Sequence, residues 1–146
     1  MQKLAVGLAM MTFLYFVVLW TAFAMYHVIF QTPFDHNWDQ SGMFIGIGMV
    51  TIPYLILGFI LRYFSERPVM EAFQISLLTV VCERVSIYLI GYYYASHGYG
   101  NPEPLQFIRG EAAPYYTPAY IFAGGIISVL LAMVVARIRV NRANRV

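Results

Sequence analysis

The chain has 146 residues, of which 60% are hydrophobic and only 11% charged, with a formal net charge of +2. Soluble domains carry roughly 25% charged residues, so this composition excludes an ordinary water-soluble fold and puts most of the chain in lipid. The length leaves room for one domain, read here as a single polytopic membrane unit over residues 1–146.

The first apolar stretch covers residues 4–30. About 20 mostly apolar residues suffice to cross a bilayer. Lys3, the apolar run after it and Ala22-Phe23-Ala24 imitate a secretory signal with its cleavage site. The run continues past that site through Met25 to Phe30, which predicts an uncleaved span. Residues 31–42, QTPFDHNWDQSG, hold Pro33 and a polar cluster, which predicts a turn. Trp38 in this loop suits the headgroup level, where amphipathic rings collect.

A second span is expected over residues 43–61, with Pro53 near its centre. Proline removes a backbone hydrogen bond there and predicts a kink. Gly42 and Gly46 form a G-x-x-x-G pair, a pattern that lets helices approach closely. The connection 62–68 carries Arg62 and Arg67 around Glu66.

The third span, 70–96, has Glu83 and Arg84 at its middle. Charges at that depth are costly and face protein or a water-filled cavity. The segment is therefore expected inside a bundle, covered by its neighbours. Loop 97–116 contains Gly98, Gly100, Pro102, Pro104 and Pro114, which argue against a long helix. The fourth span, 117–136, opens on Thr117-Pro118, an N-cap followed by proline at the first helical position. Gly124, Ser128, Ala132 and Ala136 recur every four residues and predict a packing stripe, within the bundle or between subunits.

Positive charge sets orientation. Lys3, Arg62, Arg67 and the tail residues Arg137, Arg139, Arg142 and Arg145 fall on one side, and only Arg109 on the other. The expected fold is an all-α integral membrane protein, a four-transmembrane-helix bundle with both termini cytoplasmic. The tail arginines thus read as a topology signal, and no nucleic-acid partner is expected. Size and compactness fit a bacterial inner membrane.

Glu83 is the first candidate for chemistry. At ~100° per residue, Ser76, Thr79, Glu83, Ser86, Tyr94 and His97 share one helix face, a stripe that could line a path for a proton, an ion or a small solute. Arg84 points away from Glu83, towards the face of Tyr88, because successive residues on a helix do not face each other. Glu83 and Arg84 therefore need not be each other's main partner.

His27, His36, His97, Asp35 and Asp39 group on the outer side as a weak metal-ligand set. No metal-ligand spacing supports it, and no second pair of histidines suits a haem. Tyr92, Tyr93, Tyr94, Tyr99, Tyr115, Tyr116 and Tyr120 read as an aromatic belt. The single cysteine, Cys82, excludes an intramolecular disulfide. No nucleophile elbow, P-loop or dinucleotide fingerprint occurs, so neither an enzyme nor a cofactor is expected.

Two function classes remain. One is a small transporter or channel component that moves an ion, a proton or a small polar or lipid-like solute past Glu83. The other is a non-catalytic accessory, assembly or immunity-type subunit that associates with itself or with another membrane protein. Glu83→Gln separates them, since only the first has transport to lose.

Overall fold

The computed structural model describes residues 2–30, 38–98 and 119–138, and among these the chain is all helical. Helix α1 spans Gln2–Phe30, α2 Trp38–Phe64 and α3 Pro68–Gly98. A π-helical segment, Ala119–Gly124, then leads into α4, Gly125–Arg137. Among the described residues, three stretches are long and apolar enough to cross a membrane: Leu4–Ile29, Ile45–Phe64 and Tyr120–Arg137. Such helices are the mark of an integral membrane protein. Helix α3 is longer still and carries the two charges at its middle.

Two boundaries differ most from the sequence reading. Helix α2 begins at Trp38, so Trp38 to Gly42 are helical where a loop was expected. The fourth helix is not α-helical from its beginning, because Ala119–Gly124 takes the wider π turn. Thr117 and Pro118 lie outside the described residues.

Helices α2 and α3 form a tight hairpin through residues 65–67. The Arg67 amide donates to Ser65 Oγ at 3.0 Å, and the Ser65 amide caps the Leu61 carbonyl at 2.9 Å. Pro68 opens α3 at the first helical position, where its missing N–H costs nothing.

Close approaches give the directions of the helices. Gly7 meets Ile75 and Tyr15 meets Glu83, so α1 and α3 run parallel. Gly46 meets Tyr120, Val50 meets Ser128 and Gly58 meets Ala132, so α2 and α4 also run parallel. Gly48 against Val18 and Ala22, with Tyr54 against Tyr15, makes α1 and α2 antiparallel. Val80 against Gly125 and Glu83 against Tyr120 do the same for α3 and the fourth helical stretch. The start of α1, the α2–α3 hairpin and the end of α4 therefore share one end of the bundle.

Helix α4 buries one face along its length. Ser128 and Ala132 are fully buried, and Ala136 and Gly124 are buried with them. The small-residue stripe is used inside the chain, against α2 and α3, which leaves it unavailable to a second subunit. Ser128 Oγ donates to Val50 O at 2.9 Å, three residues before Pro53, and also reaches Gly124 O at 2.9 Å. Pro53 is fully buried, and α2 runs continuously through it.

The outer faces are apolar. Phe13, Phe16, Trp20, Val28, Phe59, Phe122, Ile126 and Val134 are among the exposed large hydrophobics. With lipid outside, close packing replaces the hydrophobic effect as the force between helices.

Gly58 is the tightest backbone contact. A Cβ placed there would sit 2.6 Å from the Ala132 carbonyl oxygen and 2.9 Å from Val135 Cβ. A backbone atom cannot turn aside as a side chain can. Gly58→Ala is thus expected to push α2 from α4 and cost about 1–3 kcal/mol, the range for overpacking. Unfolding by denaturing detergent in mixed micelles measures it. A variant as stable as the parent would show that the two helices do not approach this closely.

Candidate functional site

A polar cluster lies where all four helices converge. Glu83 and Arg84 come from the middle of α3, Tyr15 from α1, Tyr54 from α2 and Tyr120 from the π-helical segment. The side chains of Arg84 and Glu83 are 9% and 10% exposed.

Arg84 Nη1 pairs directly with Glu83 Oε2. The sequence reading left this pairing open. The Cα–Cβ bonds diverge as expected on a helix, but the long arginine stem reaches back around the surface. Tyr120 guides that path. The Arg84 guanidinium lies 4.2 Å from the Tyr120 ring centroid, a cation–π arrangement, and Nη2 donates to the Tyr120 carbonyl at 3.3 Å.

The carboxylate is held on both oxygens. Tyr120 Oη donates to Glu83 Oε1 at 2.8 Å, and Tyr15 Oη donates to Oε2 at 3.2 Å. Tyr15 and Tyr54 hydroxyls lie 2.5 Å apart, with their rings edge to face. A hydroxyl has one proton to give. With that of Tyr15 on Glu83, the short bond is donated by Tyr54. The chain of bonds therefore runs Tyr54 to Tyr15 to Glu83, with Tyr120 as a separate donor. Its far end, Tyr54, is the neighbour of Pro53.

The remaining residues singled out from sequence are dispersed. Ser76 and Thr79 are buried on α3, but their hydroxyls bond to carbonyls of their own helix, Ala72 O at 2.5 Å and Ile75 O at 2.8 Å. Ser86 is exposed, so the stripe does not continue through it. Tyr88 is half-buried and stacks on Tyr92, with ring centroids 6.1 Å apart. Gly46 packs against the Tyr120 ring, whereas the surroundings of Gly42 lie outside the described residues.

For the metal set, His27 is buried beside Tyr26, and His97 is exposed at the end of α3 against Tyr93. Asp35 and His36 lie outside the described residues, as does the side chain of Asp39. Among the described residues no three His, Cys, Asp or Glu group closely enough to hold a metal ion.

Sequence reasoning missed Tyr15 and Tyr54 and put Tyr120 in the aromatic belt. A usable signal existed for the first two. Each lies well inside an apolar span, and a tyrosine hydroxyl far from the headgroups needs a polar partner within the bundle. Tyr120 gave no such signal, because its role depends on the π turn.

No family model, no curated protein and no solved structure matches the chain. The functional reading rests on the cluster itself.

Proposed function

We propose that the chain is a four-span membrane protein, with α3 as its third span and both termini cytoplasmic, that moves a proton or small cation past Glu83. One observation carries this reading: a single carboxylate is the meeting point of hydrogen bonds from α1 and the π-helical segment, with α2 joined through Tyr54. The bonds from Tyr15 and Tyr120 and the ion pair with Arg84 are all made to the carboxylate oxygens. Protonation or cation binding at Glu83 weakens them together, so occupancy of one group is coupled to the packing of the bundle. Pro53 beside Tyr54 supplies a place where α2 can bend.

The test is proton flux in liposomes loaded with a pH-sensitive dye. The purified protein is expected to dissipate an imposed pH gradient, and Glu83→Gln to abolish that flux. A Glu83→Gln variant with undiminished flux would end this reading.

A second reading is favoured by the internal bonding of Ser76 and Thr79, which leaves Glu83 without a run of free polar groups beside it. The cluster then serves as a lock that fixes helix pairing in an accessory subunit of another membrane protein. This reading expects no flux and expects a second protein to co-purify after mild solubilisation.

A further inference from the structure

The π-helical segment sits at the point where α4 touches the charge pair. A π turn bonds residue i to i+5 and so holds one residue more than an α turn. Such turns are short and recur at functional sites. Here the segment presents Tyr120 in three ways at once: its hydroxyl to Glu83 Oε1, its carbonyl to Arg84 Nη2 and its ring to the Arg84 guanidinium.

The segment and the helix that follows it are held differently. Downstream, Gly125 is wedged on Val80, where an added Cβ would lie 3.1 Å from Val80 Cγ1, and Ser128 is bonded to α2. Helix α4 is thereby anchored in rotation. Within the segment, Phe122 is 68% exposed and Ala123 is exposed too. These two side chains face away from the bundle and do not anchor the segment. A change from π to α bonding with α4 held in place rotates the residues before it by roughly 100°, the angle of one residue. That single register change withdraws all three Tyr120 contacts from the pair.

We propose that the segment Ala119–Gly124 is the gate of the Glu83 site. In the π form Tyr120 closes the site. In the α form the phenol leaves Oε1, Arg84 loses both its acceptor and its ring, and the carboxylate opens to the side from which Tyr120 has moved. The trigger is protonation of Glu83, which removes the charge that the Tyr120 hydroxyl and Arg84 address. This gate rests on the transport reading, but its geometry can be tested apart from transport.

The decisive variant is deletion of Ala123. The deleted residue is the one the π turn holds in excess, so the shortened segment becomes α-helical with Tyr120 in nearly its present direction. The gate is then locked shut. Two readouts are made in liposomes: proton flux, and the rate at which a hydrophobic carbodiimide labels Glu83, followed by mass spectrometry with Glu83→Gln as the blank. The deletion is expected to lower both at least tenfold with helical content unchanged. Labelling at the parental rate would overturn the gate, whatever the flux does. Equal flux from the parent and from Glu83→Gln would instead sink the transport reading and leave the labelling result to judge the gate.

Should the shortened chain not fold, hydrogen exchange on the full-length protein decides. Amides 119–124 are expected to exchange at least tenfold faster than amides 128–136, and faster again in Glu83→Gln. Equal protection across both stretches would rule the gate out.

Discussion

Arg84→Ala is expected to destabilise the bundle by about 3–5 kcal/mol, the cost of breaking a buried ion pair from one side. The physical source is the carboxylate left behind. Glu83 keeps Tyr15 and Tyr120 as donors, but two neutral hydroxyls do not replace a cation at a site 10% exposed. The lost cation–π contact with Tyr120 adds to the effect. Replacing both residues, as Glu83→Leu with Arg84→Met, is expected to recover most of the loss, because no charge then remains to be compensated. Unfolding by denaturing detergent on the single and double variants gives the coupling directly. Single and double variants of equal stability would mean that Arg84 does not compensate Glu83.

Glu83→Gln is expected to abolish proton flux while leaving the protein folded. Glutamine has the shape of the glutamate and still accepts from Tyr15 or Tyr120 through its carbonyl, but it neither gains nor loses a proton. A structural role and a transport role therefore separate at this variant. In either role the variant loses stability, because the ion pair with Arg84 is gone, but in the structural role there is no flux to lose. In the transport role flux disappears even at temperatures where the variant is fully folded. Tyr15→Phe is the companion measurement. It keeps the ring against Tyr54 but cuts the link from Tyr54 to Glu83, so it is expected to slow flux rather than stop it. Flux equal to the parent's would show that coupling to α2 does not run through Tyr15.

Much of the helical layout was legible in the sequence. Apolar runs of sufficient length predict helices whatever surrounds them, since lipid forces the backbone to satisfy its own hydrogen bonds. The middle of α3 was legible for the same reason, because Glu83 and Arg84 are conspicuous against that background. The spacing of Gly124, Ser128, Ala132 and Ala136 announced a packing face, but did not say whether α2 or a second subunit would cover it. Whether Glu83 pairs with Arg84 was not legible in the sequence. Backbone directions leave it open, because the arginine side chain is long enough to reach around the helix.

What the sequence by itself determined is the class of object: an all-helical chain whose apolar stretches suit a membrane, with one charged pair in the middle of its longest helix. These properties are local, since they depend on runs of composition and on a period of 3.6 residues. Only the tertiary structure decided what meets Glu83. Tyr15 is 68 positions away in the chain, Tyr120 is 37, and their arrival at one carboxylate follows from which helices are parallel and how closely they pack. The π turn belongs to the same level. Its geometry is favoured by contacts with Arg84 and Glu83 that exist only once the helices are assembled, and no pattern of residues between Ala119 and Gly124 announces it.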